Sequence, residues 1–220
     1  MNIQAAIFDM DGLLIDSEPL WREVQVKIYG QHGMPVTYEM LAETMGMRID
    51  EIVLFWLQKY NKNLGDVQAI ATQVNEAAVE LIVEKGIPRP GVENAFTVVK
   101  ELGLRTAIAS SSNTNVMDAV LEKIGVTHLV DVIHSADSEP HGKPDPAVYI
   151  GAAKSLNILP EHCVVFEDSV NGVRAAKAAK MKCVAVPDVT EQNRKEFGIA
   201  DVVLHSLDEV NKNLFENITR

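Results

Sequence analysis

The chain has 220 residues, 47% of them hydrophobic, which is enough to bury one full core with length left for a smaller accessory unit. Its formal net charge of -11 and pI near 5.0 come without any basic run, which argues against nucleic acid or an anionic membrane surface as a partner. No apolar run approaches the roughly 18 to 20 residues that span a bilayer, and no basic-then-apolar leader is evident, so the cytoplasm is the expected location. Cys163 and Cys183 lie far apart in apolar runs and read as buried, reduced thiols.

In chain order, the first apolar run, "AAIF" from Ala5, reads as a buried strand that ends on Asp9 and Asp11, directly ahead of Gly12. The next 70 or so residues are rich in helix formers and poor in strand signals. Helices are predicted in "EVQVKIYGQHG", "YEMLAETMG", "IDEIVLFWLQKYN" and "VQAIATQVNEAAVELIVEKG". This block is too long for one crossover, and the Pro and Gly residues of "DSEP" and "GIPRPG" bracket it. The expected organisation is a core of residues 1–16 and 88–220 interrupted by an α-helical cap at 17–87. From Gly103 onward, "LRTAIAS", "VDVIHS", "CVVFED" and "KCVAVP" alternate with segments of helical period, the signature of βαβ units and a parallel sheet. The tail after Leu204 resembles a last short strand followed by a helix. The fold class is therefore α/β.

Four of these strands end in chemistry-bearing residues, where open α/β sheets place their ligands. Asp9 and Asp11 follow the first strand; Glu167 and Asp168 end "CVVFED". Close carboxylates repel unless a cation lies between them or one holds a proton, and magnesium prefers such oxygen ligands. "AIASSSNTN" offers the hydroxyls of Ser110, Ser111 and Ser112, with Asn113, at a helix start suited to an anion. Lys143, between Gly142 and Pro144, is one cation that could reach inward. Each has a plain alternative: turn signal, helix cap, exposed loop lysine. Together they form the set that phosphoryl transfer needs.

With these residues in place, the chain resembles the haloacid dehalogenase superfamily of phosphotransferases over nearly its whole length. "DMDG" is similar to the family's DxDx(T/V) motif, with Leu13 in place of threonine or valine. Ser110, Lys143 in "GKPDP" and Glu167-Asp168 in "FEDSVNG" match its second, third and fourth motifs. The helical insert looks like the four-helix cap of the subgroup that contains β-phosphoglucomutase and sugar-phosphate phosphatases. The resemblance implies a Rossmann-like core and a magnesium-dependent phosphatase. Asp9 would attack phosphorus, and Asp11 would protonate the leaving alcohol and then activate water. Magnesium would be held by Asp9, the Asp11 backbone carbonyl and Asp168, with Glu167 beside them or acting through water. Ser110, Ser111 and Lys143 would hold the transferring oxygens, with Asn113 and Asn171 as supporting donors. Glu18, Trp21 and Arg48 are the cap-side candidates for substrate contact; Trp21 could equally pack cap against core.

The implied substrates are small phosphorylated sugars or sugar alcohols such as 2-deoxyglucose-6-phosphate, hydrolysed through an aspartyl phosphate. A phosphomutase is the main alternative, although the linker histidine of β-phosphoglucomutase is replaced here by Trp21. A receiver-like signalling module also places acids at strand ends, but lacks a large cap after its first strand. No sustained heptad or apolar stripe is evident, so a monomer is expected.

Overall fold

A computed structural model describes residues 2–189 and 195–218. Its centre is a six-stranded, fully parallel sheet in the order β3-β2-β1-β4-β5-β6. The strands are β1 (Ala5–Phe8), β2 (Arg105–Ser110), β3 (Val132–Ser135), β4 (Cys163–Glu167), β5 (Lys182–Ala185) and β6 (Val202–Val203). The helices are α1 (Glu18–Gln31), α2 (Ile49–Lys59), α3 (Val67–Lys85), α4 (Val92–Glu101), α5 (Thr114–Ile124), α6 (Ala147–Leu156), α7 (Val170–Ala178) and α8 (Lys212–Ile218). No helix among the described residues is long and apolar enough to cross a membrane.

β1 is central because its residues can be buried on both faces, and side chains alternate between those faces. Ala6 and Phe8 join the apolar cluster that α4, α5 and α8 cover; Ala5 and Ile7 join the one under α6 and α7. On the first face Phe8 stacks between Phe96 and Phe166, with ring centroids 4.8 and 4.7 Å away. Burying each such ring contributes about 1.5–3 kcal/mol. On the second face Ala5, Ala107 and Ala109 keep the sheet surface low, which leaves room for the bulk of Val148 and Tyr149. The tail strand predicted after Leu204 lies just before it, at Val202–Val203, where Asp201 Oδ2 accepts from the Cys183 N–H.

Register fixes the site. Phe8 is level with Ile108 and Phe166, and the Asp9 N–H donates to the Phe166 carbonyl at 3.0 Å. The residues that follow β1, β2 and β4 therefore emerge along one edge. Over that edge lie α1, α2 and α3, packed on one another through Val24, Ile28, Val53, Trp56 and Val74, while α3 also packs against α5. The predicted helix in "YEMLAETMG" is instead a five-residue 3-10 turn, Met40–Thr44. Pro35 and Gly46, the latter at φ +78°, bracket a stretch too short to repay helix nucleation. The four predicted helical segments are thus three α-helices and one tight turn. Cys163 and Cys183 are buried free thiols.

Candidate active site

The acids sort into two groups with different surroundings. Asp9, Glu167 and Asp168 are 6%, 0% and 4% exposed, and each offers an oxygen within 4.8 Å of the others. Lys143 enters this cluster from the loop after β3, 2% exposed, with Nζ donating to Asp9 Oδ1 at 2.5 Å and to Glu167 Oε1 at 2.6 Å. Burial opposes its charge, but Asp9 and Glu167 outweigh burial and hold the ammonium above its ordinary range.

Glu167 is saturated with donors. Besides Lys143, Tyr149 donates its hydroxyl to Oε1 at 2.7 Å, and the Ser169 N–H and hydroxyl reach Oε2 at 2.8 and 3.0 Å. It thereby ties Lys143 to the end of β4. Asp168 has no hydrogen-bond donor among the described residues, and burial with Glu167 and Asp9 as neighbours pushes its carboxyl well above the usual range. Burial likewise raises Asp9 to about 8, against the opposing pull of Lys143. Three buried carboxylates share one ammonium. An all-oxygen cluster with uncompensated negative charge is the donor set that a hard divalent cation takes.

Glycines make this crowding possible. Gly12 has φ +80°, and a Cβ there would stand 2.1 Å from Asp168 Oδ2. A Cβ on Gly172 would overlap Glu167 Oε1 outright.

Asp11 faces a separate set of groups. Its Oδ1 accepts from the Ser17 hydroxyl and the Trp21 indole N–H, both at 2.7 Å, and its Oδ2 from the Ser112 hydroxyl at 2.7 Å. The Ser110 hydroxyl is 3.5 Å from Oδ2 and accepts from the Ser112 N–H at 3.0 Å. Asp11 is thereby clamped between the start of α1 and the loop after β2, with its carboxylate directed away from the metal-type cluster.

One cavity of about 80 Å³ joins the two groups. Its walls include Asp9, Asp11, Ser110, Ser111, Lys143 and Asp168 below, and Glu18, Trp21, Arg22 and Gln25 of α1 above. Glu18 accepts from Arg22 Nε at 2.9 Å; burial raises its carboxyl, with Arg22 opposing. Arg48 and Asn113 do not reach this cavity. They line a neighbouring space of about 760 Å³, which Ser111 also borders. The Arg48 guanidinium is spent on Asp50 and on the carbonyls of Ala136 and Glu139, at 3.0 and 2.7 Å. Asn113 caps α5, accepting from the Val116 N–H at 2.9 Å.

Arg48 belongs instead to a seam between helices and sheet. Residues 45–51 meet the segments that follow β4, β2 and β3: Asn171 Nδ2, in the first turn of α7, donates to the Met45 carbonyl at 3.0 Å, the Ser111 hydroxyl to the Gly46 carbonyl at 2.9 Å, and the Gly142 N–H to Glu51 Oε1 at 3.0 Å. Sequence reading missed Tyr149, Ser17 and Arg22. Tyr149 sits in an apolar helical pattern and reads as core, whereas Ser17 and Arg22 flank residues already singled out.

Comparison with known proteins places the chain in a family. Residues 3–180 match the family model "haloacid dehalogenase-like hydrolase". Hexitol phosphatase B of Escherichia coli K12 is 40% identical over 210 residues, 95% of each chain. Fructose-1-phosphate phosphatase YqaB of the same organism is 31% identical over 182 residues, 82% of this chain and 94% of that one. The crystal structure of CbbY from Rhodobacter sphaeroides in complex with phosphate superposes with a TM-score of 0.84 at 28% identity, covering 94% and 96% of the two chains.

Proposed function

The chain belongs to the haloacid dehalogenase-like hydrolases, and from that membership we propose that it is a magnesium-dependent phosphatase of hexose and hexitol phosphates. Both Escherichia coli relatives are named phosphatases. The magnesium requirement and the hexitol preference are our reading. The observation that carries it is the split of the acids: a buried Asp9-Glu167-Asp168 cluster around one ammonium, with Asp11 held apart by three donors.

Asp9, at the end of β1, is the nucleophile. Its carboxylate attacks phosphorus, the bond from phosphorus to the sugar oxygen breaks, and an aspartyl phosphate forms on Asp9. Asp11 delivers a proton to the departing alkoxide, then takes one from the water that hydrolyses the intermediate. Lys143 and the Ser110 hydroxyl hold the transferring oxygens, and Glu167 with Tyr149 fixes Lys143. Asp9, Asp168 and the backbone carbonyl of Asp11 would hold magnesium, which when bound supplies the positive charge that lets clustered carboxylates and phosphoryl oxygens coexist.

We read residues 17–87 as a cap over this site. The cavity of about 80 Å³ is small beside the roughly 300–1,000 Å³ of ordinary ligand pockets. Entry of a hexose phosphate therefore requires the seam at residues 45–51 to part, and its closure excludes bulk water during transfer. Phosphate release from sorbitol-6-phosphate, mannitol-1-phosphate, 2-deoxyglucose-6-phosphate, phosphoglycolate and β-glucose-1-phosphate, with magnesium and with chelator, tests the reading. Magnesium-dependent release from the hexitol and hexose esters is expected. Conversion of β-glucose-1-phosphate to glucose-6-phosphate with no release would replace the phosphatase by a mutase.

A further inference from the structure

Among the described residues of the helical insert, four buried side-chain atoms lack a hydrogen-bond partner: Gln25 Oε1, Tyr29 Oη, Trp56 Nε1 and Asn75 Oδ1. Gln25 alone of these lines the cavity that holds Asp9 and Asp11. Gln25 is 7% exposed, and its Oε1 is buried with no donor among the described residues. A buried amide oxygen without a donor is unfavourable and calls for a donor that arrives from elsewhere.

Its position says what that partner is. Gln25 lies four residues after Trp21 on α1, so the two share one helix face. Trp21 donates to Asp11, the group that protonates the leaving oxygen. In the phosphatase reading the carbon skeleton of the ester extends from that oxygen into the cavity that Trp21 and Gln25 line. The helical insert also gives this cavity the apolar Leu41, Met47, Ile49 and Ile52. Thr44 spends its hydroxyl on the Leu41 carbonyl, and Arg22 Nε donates to Glu18 Oε1.

We propose that the Gln25 amide recognises a hydroxyl on the alcohol portion of the substrate, and so selects polyhydroxylated phosphate esters over apolar ones. An amide offers both donor and acceptor, as a hydroxyl does, so the pair forms whichever way the amide lies. An apolar ester leaves the amide unpaired, the situation in which polar sites discriminate most strongly. This assignment rests on the phosphatase reading and extends it to the substrate's far end.

The test compares kcat/KM for glucose-6-phosphate, its singly deoxygenated analogues and phenyl phosphate, in the wild type and in Gln25→Met, which keeps length and drops the amide. In the wild type one deoxy analogue should lose about ten- to a hundredfold relative to the parent sugar. In Gln25→Met that gap should close, and the ratio of glucose-6-phosphate to phenyl phosphate should fall by a similar factor. A Gln25→Met enzyme with the wild-type ratio and the wild-type deoxy gap overturns the assignment while the phosphatase stands. A wild type that releases phosphate from none of the esters overturns both. Circular dichroism on the variant separates recognition from misfolding, since a merely structural role would lower all substrates together.

Discussion

Removing or supplying magnesium should change stability in a pH-dependent way that follows from the buried acids. Burial raises Asp9 from 3.8 to about 8 in the metal-free protein, and Asp168 moves in the same direction. A folded-state value above the unfolded one means that the folded chain holds more protons between about pH 4 and 8, so stability falls as pH rises through that window. At a limit of about 1.4 kcal/mol per pH unit per proton, Asp9 alone removes about 2 kcal/mol between pH 6 and pH 8. Asp131 and Asp201, held below the usual carboxylate range by hydrogen bonds and lysines despite some burial, are ionised throughout this interval and add no slope. Lys143, held high, loses its proton only far above it.

For a chain of this size about 2 kcal/mol corresponds to a fall of roughly 4–8 °C in melting temperature. Magnesium takes the ionised carboxylates, so its binding at pH 7 should displace protons from Asp9 and Asp168 and its stabilisation should grow with pH. At a concentration about a hundredfold above Kd it adds about 2.7 kcal/mol. The assay is a thermal melt at pH 6 and pH 8, with excess magnesium or with chelator, on the wild type and on Asp9→Asn. The chelated wild type should melt lower at pH 8, magnesium should raise its melting temperature more at pH 8 than at pH 6, and Asp9→Asn should flatten the slope. Equal magnesium shifts at the two pH values, or none, would refute the buried-acid argument.

Three further outcomes follow from single contacts. Trp21→Phe keeps the ring and deletes the indole donor to Asp11 at 2.7 Å, so kcat should drop about tenfold with a melting temperature within a few degrees of wild type; an unchanged kcat would show that Ser17 and Ser112 suffice. Lys143→Met strips the ammonium from its two buried partners, Asp9 and Glu167, and should cost about 3–5 kcal/mol in stability, read by urea unfolding without metal, together with nearly all turnover. Gly12→Ala places a Cβ 2.1 Å from Asp168 Oδ2 at φ +80°, so metal affinity measured by calorimetry should fall at least tenfold; wild-type affinity would mean the loop yields freely.

The parts of this site that depend on local pattern are legible in the amino-acid sequence. Strand ends are marked by where an apolar run stops, and β1 and β4 stop at Phe8 and Glu167, which delivers Asp9 and Asp168 to one edge through register alone. Lys143 is recognisable because its Gly and Pro neighbours pin the loop. Side-chain direction on helices is not legible in the same way. Arg48 and Gln25 are both polar residues in the helical insert; packing turns the first onto the Ala136 and Glu139 carbonyls and buries the second beside the acids. Asn113 follows its ordinary preference for an N-cap. Tyr149 is hidden because an aromatic in an apolar helical stripe carries no sign that its hydroxyl reaches Glu167 at the end of β4.

The most direct test of the central claim is to mix the magnesium-loaded enzyme with a hexitol phosphate, quench it rapidly and look for phosphate on peptide 5–12 by mass spectrometry, alongside phosphate release by the wild type and Asp9→Asn. A phosphoryl group on Asp9 is expected in the wild type, and an Asp9→Asn protein that is folded, unmodified and without turnover. Near-normal phosphate release by Asp9→Asn would contradict it, since water would then be attacking phosphorus without a covalent intermediate.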